Sequence, residues 1–234
     1  FPSITGFDAD ASVISNGTLY VSSGEYLHAF DVQTGTERWN VRTASDISLA
    51  LSASGDTLYA TGKVNDRDYG VYALNASDAS ERWRFEMEGP VSMHPVVSGD
   101  SVYVGAGSRP RDGLAADYDP KFYRLNDTDG HIEWVFDVNT QPHGAAVADG
   151  FVYLAAGNTI HALDDATGER QWLHRLSGSL EYGLSYTRID ALAPAVADGV
   201  VYVVNDRGHL VGLDGTDGTE LWSYRLDGEA TRPA

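Results

Sequence analysis

Short apolar runs separated by polar turn pairs recur along the whole chain, always in the same order. One run carries a Tyr, at Tyr20, Tyr59, Tyr103, Tyr153 and Tyr202. Ahead of each lies a turn pair: Asn16-Gly17, Gly55-Asp56, Gly99-Asp100, Asp149-Gly150 and Asp198-Gly199. Asn-Gly and Asp-Gly are strong signals of two-residue hairpins, whose turns need positive φ. A short strand precedes the turn, as in Pro95-Val96-Val97 or Pro194-Ala195-Val196. After the Tyr strand come a variable loop and a third strand, such as Leu27–Phe30 or Ile160–Leu163. The third strand is apolar on both faces, which predicts a sheet covered on both sides.

A second ruler runs through the same units. An Asp or Asn stands eight residues before a Trp at Asp31/Trp39, Asn75/Trp83, Asn126/Trp134, Asp164/Trp172 and Asp214/Trp222, which uses every Trp in the chain. Between the members of each pair sits another turn, and the Trp is expected to open a fourth strand. Four short antiparallel strands repeated every ~40–50 residues predict an all-β fold, a β-propeller of four-stranded antiparallel blades. The five repeats fall at about 11–44, 49–88, 93–138, 143–177 and 192–227 of one domain, or fragment of a domain, spanning 1–234.

The turn-and-Trp unit reads A-F-D-V-Q-T-G-T-E-R-W at Ala29–Trp39 and A-L-D-D-A-T-G-E-R-Q-W at Ala162–Trp172. It closely resembles the pyrroloquinoline-quinone-type (PQQ-like) propeller repeat, A-x-D-x-x-T-G-x-x-x-W, over nearly the whole chain. WD and kelch signatures are absent. Asn75 and Asn126 replace the Asp and Ala79 replaces the Gly; Asn still supports an Asx turn. The resemblance implies seven or eight blades in the parent fold. Phe1–Phe7 is therefore expected to be the last strand of an earlier blade, and Arg232-Pro233-Ala234 the start of a later one, with a closed five-bladed ring as the alternative.

Insertions depart from the ruler at Val64–Asp68, Ser108–Pro120 and Gly178–Ala191. All three follow a second or fourth strand. In an antiparallel meander those connections emerge on one face, the expected binding face, since rigid scaffolds present function on loops.

Composition narrows the partners. With two Lys, 24 Asp against 10 Glu and a formal charge of −18, the surface opposes nucleic-acid phosphate. Such an Asp-rich, Lys-poor surface resembles that of proteins from salt-loving organisms, where salt screens self-repulsion. An acidic surface for a basic partner is the alternative. The absence of Cys excludes disulfides and thiolate chemistry, and no apolar run approaches the ~20 residues of a membrane span.

Candidate chemistry is sparse. Asn126–Gly130 has a faint likeness to a calcium loop, but Leu125 and Val135 occupy the first and last ligand positions, so it is expected to be a blade turn. Asp112, Asp117 and Asp119 form a solvated acidic loop or a cation site. His28 and His161 share a third-strand packing position with Tyr72, Tyr123 and Val211. His94 and His143, with Asp46, Gln141, Arg188, Asp190 and Arg232, lie in connections near the start of the innermost strands and are the candidate ligand site at the funnel mouth. Sequons occur at Asn16, Asn75 and Asn126.

The resemblance implies two main functions. One is a non-catalytic scaffold similar to the propellers of outer-membrane assembly lipoproteins, extracellular or at the cell surface, using no cofactor and meeting a protein partner through the insertion-bearing face. The other is a fragment of a quinoprotein dehydrogenase holding PQQ and calcium. Most alcohol-oxidising members of that group carry a vicinal Cys pair, which this chain lacks. A ligand-sensing or carbohydrate-binding propeller is a third class. The scaffold is the expected reading.

Overall fold

A computed structural model describes residues 11–24, 26–42, 50–63, 69–87, 89–107, 120–177, 193–205 and 208–226. They form twenty strands in five antiparallel sheets, and none of them is helical. The first sheet holds β1 (Ala11–Ser15), β2 (Thr18–Ser23), β3 (Tyr26–Asp31) and β4 (Glu37–Arg42), and the second β5 (Ala50–Ser54), β6 (Thr57–Lys63), β7 (Tyr69–Asn75) and β8 (Glu81–Met87). The third is β9 (Val96–Ser98), β10 (Ser101–Ala106), β11 (Lys121–Asn126) and β12 (Ile132–Asp137), and the fourth β13 (Pro142–Ala148), β14 (Phe151–Ala156), β15 (Thr159–Asp164) and β16 (Arg170–Arg175). The fifth is β17 (Ala195–Ala197), β18 (Val200–Val204), β19 (His209–Asp214) and β20 (Glu220–Arg225). Strand order follows chain order in each sheet, so every sheet is an up-and-down meander. Among the described residues no helix is long and apolar enough to cross a membrane.

The chain divides into two compact units, Phe1–Val104 with Leu125–Ile132, and Gly105–Arg124 with Glu133–Ala234. In the first, Tyr20, Leu27 and Ala29 of the first sheet pack with Leu51, Leu58, Ala60, Tyr72 and Leu74 of the second. In the second, Tyr153, Ala155, Ile160, Ala162 and Trp172 of the fourth sheet pack with Val201, Val203, Val211 and Leu213 of the fifth. These are the period-2 apolar positions, and β7 and β15 are buried on both faces, as their unbroken apolar character predicts.

Hairpin turns come in two kinds. Asn16-Gly17, Asp149-Gly150 and Asp198-Gly199 have positive φ at both positions, the type I′ pattern. Gly55-Asp56 and Gly99-Asp100 have it only at the Gly, the type II′ pattern. Residue order within each pair accounts for the difference, because only Gly enters the first position of a II′ turn cheaply.

The fourth strand departs from expectation. It begins two residues before the Trp, and its register with the third strand slips there: Trp39 pairs with Ala29 while Glu37 pairs with Phe30. The same slip occurs at Ala73/Leu74, Ala162/Leu163 and Gly212/Leu213. One extra residue is bulged out just before the Trp, and the bulge re-aims it. At Arg38 and Arg82 the guanidinium turns back across the sheet to donate to Thr18 Oγ1 (2.8 Å) and Thr57 Oγ1 (2.9 Å).

Candidate functional site

The Tyr and Trp landmarks prove to be one device. Their rings lie 5.9 Å apart in Tyr20–Trp39, 6.0 Å in Tyr59–Trp83, and 5.9 Å in both Tyr153–Trp172 and Tyr202–Trp222. Each Trp but the last donates its indole N–H to the next sheet's turn, at the carbonyl after the Asx residue: Ala76 (3.2 Å), Asp127 (2.7 Å), Asp165 (2.8 Å) and Gly215 (2.9 Å). Tyr20 and Tyr153 send their hydroxyls to the same carbonyls as their Trp partners. The indole ring then lies on the Gly of that turn. A Cβ on Gly130, Gly168 or Gly218 would come 2.5, 2.7 or 2.5 Å from Trp83, Trp134 or Trp172. Glycine is thus required twice over, by the close ring and by φ near +73°. In the sequence these glycines are marked only as turn residues.

Ala79 stands at that turn position in the second sheet, in the left-handed region at φ +58°. The matching Trp39 is half-buried and its hydrogen bond is among the longest of the four. Ala79→Gly should therefore raise stability by about 1 kcal/mol, since an alanine held at positive φ costs about that much. Urea unfolding should show a higher midpoint at unchanged slope; an unchanged or lower midpoint would contradict the strain.

Each Asx side chain accepts within its turn through Oδ1. Asp31 Oδ1 accepts from the backbone N–H groups of Gln33 (3.0 Å) and Thr34 (2.9 Å), and Asp164 and Asp214 accept from Thr167 and Thr216 in the same way. The residue four places on closes every turn with an N–H···O bond back to the Asx carbonyl, at 2.8–2.9 Å. Arg38 and the Thr34 donors hold the Asp31 carboxyl well below the usual carboxylate range, and the Thr216 hydroxyl and N–H lower Asp214. Asn126 Oδ1 takes the Thr128 N–H, and Asp129 takes the His131 backbone and ring nitrogens. The calcium-like stretch is a blade turn with its oxygens committed to protein donors. The sequon asparagines are engaged too, Asn16 donating to Gly55 O and Asn75 accepting from Ser77.

Of the seven funnel-mouth candidates, Asp46, Arg188, Asp190 and Arg232 lie outside the described residues, as does the Asp112–Asp119 loop. His94 is exposed just before β9 in the first unit. Gln141 and His143 open β13 in the second unit. His143 is buried and is itself a bulge, because Pro142 pairs with Ala156 and Gly144 with Ala155. Gln141 lies across Gly107, where a Cβ would meet its Oε1 at 3.2 Å, and Gly144 is backed by Ala193. Among the described residues no group of three or more His, Asp or Glu is placed to hold a metal ion.

The third-strand histidines take their expected packing positions. His161 is 7% exposed, edge-on to the Phe136 ring at 5.4 Å. His28 stacks on Phe30 and bonds Glu37 at 2.8 Å.

The insertion segments connect β6 to β7, β10 to β11, and β16 to β17. In each sheet those connections leave at the end opposite to the hairpin and Asx turns. The insertions themselves, and the expected terminal half-blades, lie outside the described residues.

Comparison with known proteins places these features. The family described as outer membrane protein assembly factor BamB matches residues 23–144 and 142–233. The BamB of Xanthomonas campestris is 32% identical over 102 residues, covering 43% of this chain and 23% of that protein. The BamB of Yersinia pestis is 28% identical over 230 residues, 86% of this chain and 52% of that protein. A quinohemoprotein alcohol dehydrogenase of Pseudomonas putida is 28% identical over 131 residues, 47% of this chain and 18% of that protein. The crystal structure of BamB from Moraxella catarrhalis superposes with a TM-score of 0.67 at 19% identity, over 92% of this chain and 61% of that one, which shows the fold. The chain spans about half or less of the length of these curated relatives. With Asx turns repeated through five antiparallel sheets and a Tyr–Trp ring pair in four of them, the chain belongs to the PQQ-like β-propeller family of outer membrane protein assembly factor BamB.

Proposed function

We propose that the chain is a non-catalytic binding propeller of the cell envelope, holding a partner protein during assembly at or beyond the membrane. The observation that carries this reading is where the chain varies. The hairpin turns, Asx turns and clamps repeat closely from sheet to sheet, whereas the three long insertions all leave at the opposite strand ends. A scaffold that varies only there keeps its blades constant and changes what those ends meet. The match to an assembly factor over most of the chain supports the same reading. The acidic, Lys-poor composition suits a basic partner surface or a salt-rich medium.

A photo-crosslinking residue at Leu114 in the Ser108–Pro120 insertion, compared with one at Asp149 in a tight hairpin turn, tests this. In cells, Leu114 should give a discrete protein adduct and Asp149 none, and the captured protein should bind the purified chain. Equal capture from both positions would remove the proposal. So would stabilisation by PQQ with calcium, which at 100-fold excess over Kd amounts to about 2.7 kcal/mol and would instead mark a quinoprotein.

A further inference from the structure

Three of the eight Asn residues, Asn16, Asn75 and Asn126, have Thr or Ser two places on and no Pro between, the acceptor pattern for asparagine-linked glycans. None of the other five, Asn40, Asn65, Asn139, Asn158 and Asn205, has it. The three share one place in the fold. All belong to the first compact unit and stand in its tight turns, Asn16 between β1 and β2, Asn75 at the end of β7 and Asn126 at the end of β11. These turns are tied in series. Asn16 Nδ2 donates to Gly55 O at 2.7 Å, Trp39 donates to Ala76 O beside Asn75, and Trp83 donates to Asp127 O beside Asn126. The matching turn positions of the second unit are Asp149, Asp164, Asp198 and Asp214.

Turn geometry does not call for an amide at these places. Asn75 Oδ1 accepts from Ser77 N–H and Oγ at 3.1 and 3.0 Å, and Asn126 Oδ1 accepts from Thr128 N–H at 2.9 Å. Asp214 makes both of the Asn75 bonds with a carboxylate oxygen, to Thr216 N–H and Oγ1 at 2.8 and 2.6 Å. What Asn has and Asp lacks is Nδ2, the atom that carries the sugar. At the hairpin, Asp149 and Asp198 take the same positive φ as Asn16, so Asp would serve that turn too. Asn16 is exposed at the tip. Its amide reaches Gly55 O, and a glycosylated Nδ2 keeps one N–H with which to hold that bond.

We propose that the first unit is glycosylated on its turn end, at Asn16, Asn75 and Asn126, by a membrane-bound transferase that uses a lipid-phosphate-linked oligosaccharide. Nδ2 attacks the anomeric carbon of the donor. The C–N bond forms as the C–O bond to phosphate breaks, the lipid phosphate leaves with the electron pair, and Nδ2 gives up one proton to a base of the transferase. Thr18 is 3% exposed and its Oγ1 accepts from Arg38, so Asn16 is modified before the β1–β2 hairpin closes. Glycans are bulky and solubilising. Placed here they cover the strand ends opposite the insertions and leave the insertion ends bare for a partner. Such transfer acts only on exported chains, so it rests on the envelope placement proposed above.

Protein recovered from the envelope of the cell that makes it tests this. Release by a glycan amidase in heavy-oxygen water should convert Asn16, Asn75 and Asn126 to labelled Asp and leave the other five Asn unlabelled. Asn75→Asp and Asn126→Asp, which install the residue of the other turns, should each lower the intact mass by one glycan. Ser77→Ala and Thr128→Ala should do the same with the Asn still in place, a loss that a purely structural Asn would not show. Thr18→Ser keeps both the acceptor pattern and a hydroxyl for Arg38, and should keep the glycan on Asn16. Exported protein with all three Asn unmodified, or a glycan that persists in the Ser77→Ala and Thr128→Ala variants, would overturn the inference and leave the envelope reading standing. A chain confined to the cytosol would overturn both.

Discussion

Trp172→Ala should cost about 3–5 kcal/mol of folding stability, the range for emptying a large aromatic site, and Trp222→Ala should cost a small fraction of that. The two residues share a repeat position and a Tyr partner, yet Trp172 is 9% exposed and Trp222 41%. Removing Trp172 leaves the Gly215 carbonyl without its indole N–H, opens a void against Val201 and Leu213, and uncovers the Gly218 turn. At Trp222 no carbonyl is engaged among the described residues, so the loss is one of partly buried area alone. Gly218→Val attacks the same joint from the other side, by placing a β-branched residue at φ +74° and its Cβ 2.5 Å from the Trp172 ring. Trp172→Ala and Gly218→Val should be strongly non-additive, because either one empties the joint. Denaturant melts of wild type, the three single variants and the Trp172→Ala/Gly218→Val double variant would measure it; equal costs at 172 and 222 would show that the indole serves its own sheet and not the joint between sheets.

That contrast also marks how far the sequence is legible. Short apolar runs, Asn-Gly and Asp-Gly pairs and the Asp/Asn-to-Trp interval locate the strands because each is a local signal of backbone geometry. They also dismiss the calcium-like stretch, since Asn126 is read by its repeat position and its oxygen is spent on Thr128. The bulge before Trp39, Trp83, Trp172 and Trp222 was not legible. The spacing of eight already contains the extra residue, and nothing at Arg38, Arg82, Gln171 or Leu221 marks it. The double role of Gly130, Gly168 and Gly218 was hidden for a related reason, because a turn glycine looks the same whether or not a ring from another sheet rests on it. Arg124 shows the same limit. It stands where other units have Ala or Gly, and only the fold reveals its guanidinium donating to Asp165 O (2.8 Å) and pairing with Glu133 (2.9 Å). The candidate ligand site was least legible, since convergence at a funnel mouth depends on loops whose lengths obey no repeat.

Acidification should cost the fold about 3 kcal/mol between pH 6.5 and pH 4 through one residue, His161. Burial pushes its pKa down to about 4, and the positive charge of Arg170 adds to the shift. Its Nδ1 has no hydrogen-bond partner among the described residues, and the Phe136 ring covers it from the neighbouring sheet. In the unfolded chain the imidazole takes its proton near pH 6.5. Between the two values the unfolded state binds more protons than the folded one. The stabilisation is therefore complete above pH 6.5, declines as pH falls through that window, and is gone below the folded pKa. At 1.36 kcal/mol per pKa unit, a depression of about two and a half units sets the size. Below pH 4 the Asx-turn and hairpin carboxylates take over: Asp31, Asp56 and Asp214 are held below their ordinary values by Arg38, Arg82 and Thr216, and lose their contribution as they protonate. The two regimes separate by substitution. His161→Tyr installs the residue found in the same register at Tyr72 and Tyr123, and should flatten the stability profile from pH 6.5 to 4 while leaving the steeper acid limb. The imidazole resonances of His161 in the native protein should stay at their neutral positions until pH approaches 4. A variant that keeps the wild-type slope in that window, or a His161 that titrates near 6.5 in the folded state, would show that the third-strand position is wetter than its covered place between sheets requires.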